Sequence, residues 1–212
     1  LKTCQVPVLF EAPVASSLLS HFLGAISGGA LYRKASFLLD HLGKSVFPDF
    51  VRIHEQPLLQ RAMGSAVFDS EGVATNPRDI VSGGVLEGYV LGSYSARRLG
   101  LETTGNAGGV HNLTIDPGNE DLQGLIKSLG RGLLVTELIG FGVNSVTGDY
   151  SRGAAGFWVK DGEIQFPVEE VTIAGSLKEM FRSITAIGCD VDTKRNIRCG
   201  SILVEGLTVA GQ

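Results

Sequence analysis

The stretch GFWVKDGEIQFPVEEVTIAG, residues 156–175, decides the fold class. Two runs in which apolar and polar residues alternate flank Asp161 and Gly162, and an Asp-Gly pair is strongly preferred in two-residue hairpin turns. The stretch therefore predicts two antiparallel strands joined by a tight turn. Ser82 to Gly84, which also lies between apolar runs, predicts a second turn of this kind.

Further strand-like runs are spread along the whole chain. They begin at Val6, Phe50, Asp79 and Leu133, and the last is ILVEGLTVAG at the end of the sequence. The 29 glycines are also spread over the whole length, which is typical of many tight turns between short strands. Hairpins therefore outnumber strand-helix-strand units.

Four segments have helical character. The first begins at Pro13, the second covers about Ala30–Leu42 with a capping glycine at Gly43, and the third is Leu122–Leu129 before Gly130. The fourth follows Ser176, where Ser176 and Glu179 form a capping-box pattern, and a short turn SARRLG ends at Gly100. Together these patterns predict an α+β fold, a largely antiparallel sheet with a few flanking helices, as a single domain over residues 1–212.

Charge and cysteine content exclude several classes of function. Lysine plus arginine total 18 against 22 for aspartate plus glutamate, a net charge of −4 with no basic block, which argues against direct binding to nucleic acid. No apolar run is long enough to span a bilayer. Three cysteines without a C-x-x-C spacing fit a reducing compartment, and we expect a cytoplasmic protein.

The helix SLLSHFLGAISGG, residues 17–29, has the setting of a metallopeptidase helix without its ligands. A zinc hydrolase needs about three His, Cys or carboxylate ligands and a general base, and the neighbours of His21 are none of these. His54-Glu55 resembles the start of an H-E-x-x-H motif, but Leu58 stands where the second His belongs and Pro57 would break the helix. The second pattern is a false positive.

Two glycine-rich segments, residues 101–113 and 142–156, are the remaining candidates for a binding site. Each presents backbone amides and small polar side chains, which could hold an extended peptide or an anion. A solvated connection is the alternative for both. Neither matches a Walker loop or a dinucleotide-binding fingerprint, so nucleotide binding is disfavoured.

These loops, together with the C-terminal run, carry a family resemblance. The segments ARRLGLETTGNAGGVHNL, NSVTGDYSRGAAGFWVKDGE and NIRCGSILVEGLTVAG occur in this order, and the chain resembles the C-terminal half of the PmbA (TldE) branch of the TldD/PmbA family, whose older name is modulators of DNA gyrase. The resemblance covers essentially the whole chain. It implies that an N-terminal half of the natural protein is absent from this sequence.

The resemblance implies a two-subunit zinc protease in which the TldD branch carries H-E-x-x-x-H on a helix and a cysteine near the C-terminus. In this chain Ser20, His21 and Ala25 would stand at the His, Glu and second His positions, and Cys199 would occupy the region of the third ligand. The catalytic motif is therefore degenerate, and we expect no metal in this chain. Zinc is expected in a TldD-like catalytic partner.

The resemblance also implies that the pair of subunits acts on extended peptides, including a peptide antibiotic precursor and a labile antitoxin. The residues that we expect to line a shared substrate cavity are His111, Asn112, Asn144, Asp149, Tyr150 and Arg152. Self-association is a further expectation, because a pseudo-symmetric heterodimer implies a surface that can pair with itself.

Two alternatives remain open at this stage. The chain could be a metallopeptidase in its own right, with zinc held by a set such as His21, His111 and Cys199. It could instead be an interaction protein that modulates DNA gyrase, as the older family name suggests.

Overall fold

A computed structural model describes residues 1–211, which form two compact units. The first unit comprises residues 1–18, 117–192 and the chain from Cys199 onward, and the second comprises residues 19–116 and 193–198. None of the helices among the described residues is long and apolar enough to cross a membrane. The helices and strands, in chain order, are β1 (Cys4–Phe10), α1 (Ala12–Ala25), α2 (Gly28–Tyr32), β2 (Ile53–Glu55), β3 (Arg78–Ser82), β4 (Val85–Leu86), α3 (Ser93–Leu99), β5 (Leu113–Ile115), α4 (Leu122–Leu129), β6 (Gly132–Ile139), β7 (Asp149–Lys160), β8 (Glu163–Ser176), α5 (Leu177–Arg182), β9 (Ile184–Ile187), β10 (Ile197–Arg198) and β11 (Ile202–Ala210).

The first unit is built on a sheet that closes on itself. Its strands follow the order β1-β6-β7-β8-β11, and β11 also pairs with β1, which completes the ring. All of these pairings are antiparallel except β1 with β6. Strand β9 pairs with the first part of β11, at Ile202–Val204, and β8 pairs with its last part, at Thr208–Ala210. The expected α+β fold with a largely antiparallel sheet is confirmed.

Helix α4 packs against this sheet. Its residues Leu125, Ile126 and Leu129 form one buried apolar cluster with strand residues that include Leu9 and Val159. Asp121 caps the helix by accepting a hydrogen bond from the amide of Gly124 at 2.9 Å. The helix bounds are those predicted from the sequence.

The second unit contains a five-stranded sheet in the order β10-β5-β2-β3-β4. The turn between β3 and β4 has Gly83 and Gly84 at φ +56° and +74°, the conformation of a two-residue hairpin turn. Helices α2 and α3 approach closely at Gly28, where an added Cβ would collide with the side chain of Ser95. The predicted turn at residues 82–84 is confirmed. The segment SARRLG, predicted as a short turn, belongs to the helix α3, which has Gly100 as its C-cap.

Two helix predictions are wrong in part. The second helix does not cover Ala30–Leu42 but ends at Tyr32, because the buried hydroxyl of Ser36 donates to the Ala25 carbonyl and accepts from the Leu38 amide. These bonds replace the helical ones. Helix α5 follows Ser176 as predicted, but the Ser176 side chain makes no capping hydrogen bond.

The hairpin that decides the fold gives the first prediction. Asp161 and Gly162 have φ +55° and +74°, and a Cβ on Gly162 would lie 3.1 Å from the Cα of Lys127. We expect Gly162→Ala to lower the free energy of unfolding by about 1–2 kcal/mol in urea denaturation, because alanine is strained at this φ.

Gly24→Ala is the matched control, because a Cβ there meets no atom within 4 Å and Gly24 lies in helix α1. We expect this variant to gain up to about 1 kcal/mol. Equal effects of the two substitutions would contradict the assigned turn.

Candidate functional site

A buried carboxylate lies at the centre of the second unit. Glu55, at the end of β2, is 2% exposed, and its Oε2 accepts a hydrogen bond from Nε of Arg78 at 3.1 Å. Its Oε1 accepts from the side-chain amide of Asn106 at 2.7 Å and from the backbone amide of His111 at 2.6 Å. A buried charge is tolerated only with such partners, so these contacts fix where Asn106 and His111 lie.

The glycine-rich segment 101–113 is thereby fixed to strands β2 and β3. Arg78 donates from Nη2 to Oδ1 of Asn106 at 2.8 Å and from Nη1 to the Tyr89 carbonyl at 3.0 Å. The Thr104 hydroxyl donates to the same Asn106 oxygen at 2.7 Å. Asn106 and Thr104 of this segment are therefore engaged in one network with Glu55 and Arg78. Whether the segment holds a peptide or an anion stays a prediction.

Asp69 holds the same segment from its other side. Its Oδ2 accepts from the amide of Ala107 at 2.9 Å, and its Oδ1 accepts from the amides of Glu71 and Val73, both at 2.9 Å. Burial alone would raise the pKa of Asp69, but the three donated hydrogen bonds favour the ionised form and lower the pKa below the ordinary value of an aspartate. Asp69 is therefore a charged anchor.

Two of the predicted cavity residues follow this network in the chain. Asn112 is fully buried, accepts from the Gly64 amide at 2.8 Å and donates to the Gln56 carbonyl at 3.0 Å. His111 is partly buried, with Nδ1 at 3.2 Å from the Gly64 carbonyl, and its buried Nε2 has no hydrogen-bond partner among residues 1–211. Asn112 thus shapes the site through the backbone it binds, whereas the Nε2 of His111 is enclosed by the protein.

The other four predicted cavity residues lie in the first unit: Asn144 in the turn between β6 and β7, and Asp149, Tyr150 and Arg152 at the start of β7. Asn144 and Asp149 line an open groove of about 510 Å³ there. Tyr150 is 1% exposed and faces the opposite side of β7, as does Arg152, because successive strand residues alternate. Burial raises the pKa of Tyr150 to about 12. The structure therefore brings Asn144 and Asp149 to one groove and directs Tyr150 and Arg152 away from it.

His54 and Glu55 make separate contacts, which is consistent with rejection of the H-E-x-x-H pattern. His54 Nε2 lies 2.9 Å from Oδ1 of Asp116, whereas Glu55 binds Arg78, Asn106 and His111. Both residues lie on a strand. The local sequence shows only a false metal motif at this pair and contains no signal for the structural role of Glu55.

Helix α1 contains the degenerate motif positions. Ser20 is exposed, His21 is partly buried and Ala25 is fully buried. The helix ends at Ala25, and the hydroxyls of Ser27 and Ser36 bind the carbonyls of Gly24 and Ala25 at 2.8 and 2.6 Å. The end of the helix is therefore stabilised by hydroxyl groups.

Cys199 and Ser201 bind the beginning of the same helix within the first unit. The buried Cys199 thiol donates to the Ala12 carbonyl with Sγ at 3.6 Å, and the Ser201 hydroxyl accepts from the Ala12 amide at 3.1 Å. Asp190 in turn accepts from the Ser201 hydroxyl and from its amide, at 2.6 and 2.9 Å. Cys199 therefore has a structural contact that uses the protonated thiol.

The side chains at positions 20, 25 and 199 do not offer the donor atoms that a zinc site needs. Zinc takes thiolate, imidazole or carboxylate donors, whereas a hydroxyl stands at position 20, a methyl at position 25 and a thiol that donates a hydrogen bond at position 199. Among residues 1–211, no three His, Cys, Asp or Glu side chains are grouped so that they could hold a metal ion. Whether the chain binds zinc stays a prediction.

Comparison with known proteins assigns the family. The model of the PmbA/TldA metallopeptidase C-terminal domain matches residues 3–211. Metalloprotease PmbA of Escherichia coli O157:H7 is 53% identical over 212 residues, which are 100% of this chain and 47% of that protein. The chain belongs to the PmbA/TldD metallopeptidase family, of which it is a C-terminal domain.

Two solved structures share the fold. A putative modulator of DNA gyrase from Bacteroides thetaiotaomicron superposes with a TM-score of 0.95 at 33% identity, over 100% of this chain and 48% of that one. TldE from Thermococcus kodakarensis superposes with a TM-score of 0.88 at 26% identity, over 100% of this chain and 51% of that one. The chain spans about half the length of the relatives it matches.

The Glu55 network predicts a large loss of stability when the carboxylate is removed. We expect Glu55→Ala to lower the free energy of unfolding by about 3 kcal/mol, because Arg78 would be left as an uncompensated, largely buried charge. Urea denaturation measures the loss. Glu102→Ala, an exposed glutamate of the same loop, is the control and should change stability by less than about 0.5 kcal/mol. Similar small losses in both variants would show that the network carries little energy.

Asp69 predicts a loss that depends on pH. Asp69→Asn should lower stability by about 2 kcal/mol at neutral pH, because three amides lose a charged acceptor. The folded-state pKa lies below the unfolded value, so the carboxylate stabilises the fold above the unfolded pKa and the benefit is lost as the pH falls through the folded pKa.

The difference between wild type and Asp69→Asn should therefore shrink as the pH falls from the unfolded-state pKa through the lower folded-state pKa of Asp69. Asp49→Asn, at an exposed position, is the control and should track wild type at every pH. A difference that stays constant down to strongly acidic pH would reject the charged anchor.

Proposed function

We propose that this chain is a non-catalytic subunit of a heteromeric zinc metalloprotease of the TldD/TldE type. One observation carries the proposal. At the positions where the family resemblance places two histidines this chain has Ser20 and Ala25, and at the position of the glutamate it has His21. The thiol of Cys199, in the region of the third ligand, donates to the Ala12 carbonyl. A zinc-bound water needs both ligands and a general base. The chain then contributes to a protease without performing the hydrolysis.

The names of its relatives support this context. The Escherichia coli relative is named a metalloprotease, and the archaeal structure with the same fold is named TldE. In this proposal a TldD-like partner holds the zinc ion, and the complex works in the cytoplasm on extended peptides such as an antibiotic precursor or a labile antitoxin.

The role of this chain is to help enclose and orient the peptide. Two features support it: a glycine-rich segment that is fixed by Glu55 and Asp69, and the open groove lined by Asn144 and Asp149. Rigid walls hold an extended peptide at a lower entropic cost than mobile ones.

The test is reconstitution with a TldD-type subunit. We expect no peptide cleavage by this chain alone, and chelator-sensitive cleavage when it is mixed with the partner. The control mixture contains a partner whose catalytic glutamate is replaced by glutamine, and it should be inactive. Chelator-sensitive cleavage by this chain alone would reject the proposal in favour of an autonomous metallopeptidase.

His21→Ala separates the same two possibilities within the mixture. If His21 supplies neither a ligand nor a proton, the variant should keep the cleavage rate of the mixture within about twofold, a change of about 0.4 kcal/mol in activation free energy. A loss of several orders of magnitude would assign His21 to the catalytic machinery.

A further inference from the structure

An exposed apolar loop lies in the second unit between β2 and β3. Within residues 57–68, which we call the 57–68 loop, four large apolar side chains are more than half exposed: Leu58 at 54%, Met63 at 74%, Val67 at 65% and Phe68 at 60%. Single apolar residues scattered over a surface need no explanation, but several in one loop form a patch of the kind that marks an interaction site.

The patch has a concave part and a protruding part. An open groove of about 620 Å³ is lined by residues that include Leu58, Val67 and Phe68. Met63 lies outside the lining of this groove and is the most exposed of the four side chains. A methionine side chain is flexible and fills irregular apolar spaces well. One loop therefore carries both an apolar groove and an apolar side chain that is able to enter such a groove.

Hydrogen bonds fix the backbone of the loop. The Ala66 amide donates to the Pro57 carbonyl at 3.0 Å, which joins the two ends, and the Thr75 hydroxyl donates to the Ala66 carbonyl at 2.6 Å. In the middle of the loop, the Gly64 amide donates to the buried Asn112 side chain at 2.8 Å. Because the backbone is already ordered, a partner would not have to order it on binding.

The loop is almost free of charge. Arg61 is the one charged residue at positions 57–68, and the acidic residues next to its two ends, Glu55 and Asp69, are buried and hydrogen-bonded to protein groups. In a two-fold contact a patch faces the same patch of the second copy, so a highly charged patch would meet like charge. A patch with one charge avoids most of this repulsion.

The exposed area is enough for a weak dimer. Phe68 leaves on the order of 100 Å² exposed, because a phenylalanine side chain carries roughly 150–250 Å². With similar values for the other three side chains, two copies would bury roughly 800 Å² of apolar surface, which is about two thirds of the area at the lower end of specific interfaces. Polar groups at the edge of the groove, such as Arg61, would supply the rest.

We propose that the 57–68 loop is the contact surface of a two-fold symmetric dimer of this chain. Met63 of each copy enters the groove of the other copy beside Val67, so the two halves of the contact are identical. The expected self-association thereby has a location. The dimer goes beyond the proposed function, because it needs neither zinc nor a catalytic partner.

Other occupants fit the loop less well. Single-stranded nucleic acid binds in a basic groove with successive stacking aromatic side chains, whereas the loop has one basic residue, Arg61, and one aromatic residue, Phe68. An anionic membrane surface favours several basic residues beside the apolar ones. The remaining competitor is a TldD-type subunit, and the experiment separates it from a second copy.

The test is sedimentation equilibrium of the purified chain. We expect a monomer–dimer equilibrium with a Kd on the order of 10 µM, because the contact area is small. The contact is mainly apolar, so the Kd should change by less than about twofold between low and high salt.

Two variants and their mixture test the reciprocal contact. Met63→Glu and Val67→Lys should each raise the Kd at least about tenfold, because each brings a charge into an apolar contact. Mixed in equal amounts, they should form a heterodimer with a Kd within about threefold of the wild-type value. In that heterodimer the introduced carboxylate meets the introduced ammonium in one half of the contact, and the other half keeps Met63 beside Val67. High salt should weaken this heterodimer more than the wild-type dimer.

Changes of the same kind elsewhere are the controls. Phe166→Glu and Ile164→Lys, at exposed apolar positions of β8, should leave the Kd unchanged. All four positions are exposed, and circular dichroism should show parental melting for each variant. If a loop variant does not fold, Met63→Ala or Val67→Ser replaces it and should raise the Kd in the same direction.

Three results would overturn the inference: a chain that stays monomeric at about 100 µM, controls that act like the loop variants, or a variant mixture that associates no better than its components. A dimer that both loop variants leave intact, while they prevent association with a TldD-type subunit, would assign the loop to that subunit instead. Because the assay needs neither zinc nor a partner, a failure here leaves the reconstitution result intact. Failed reconstitution with an intact dimer would reject only the proposed function.

Discussion

The buried carboxylate of Glu55 is the interaction on which the candidate binding surfaces of the second unit depend. Its three donors come from β3 and from the glycine-rich segment, so one ionised group positions Arg78, Asn106 and the backbone at His111. The next residue, Asn112, then binds the Gly64 amide through its side chain and the Asn196 side chain through its backbone amide. Buried polar contacts therefore hold segments of the second unit that are distant in sequence in one arrangement.

The first helix contains three of the positions at which the family resemblance places the metal ligands and the general base. Hydroxyl groups now bind the last carbonyls of α1, and the Cys199 thiol and the Ser201 hydroxyl bind its first residue. Each of these groups uses the neutral, hydrogen-bonding form of a side chain. A metal site would instead need a thiolate and imidazoles with free lone pairs. The groups that stabilise the helix therefore act in their neutral form, whereas a bound cation would need a deprotonated thiolate and the lone pairs of imidazoles.

Local features were predictable from the sequence and long-range ones were not. Both hairpin turns, α1, α3 and α4 follow from turn residues, caps and periodicity that lie within a few positions of one another. The pairing of β11 with both β1 and β8, and that of β10 with β5, join segments far apart in the chain and leave no local pattern. Glu55 was missed for the same reason, since its partners lie 23 to 56 residues away. Among the candidate cavity residues, alternation along β7 would have separated Tyr150 from Asp149.

The central claim is that this chain belongs to a metalloprotease family but does not itself retain the metal. The most direct measurement is the zinc content, by mass spectrometry, of this chain and of a TldD-type partner, purified by the same protocol from zinc-supplemented cells. We expect a partner with close to one zinc ion per chain and this chain with a value near the buffer background. Stoichiometric zinc in this chain, lost on replacement of His21 or Cys199, would contradict the claim.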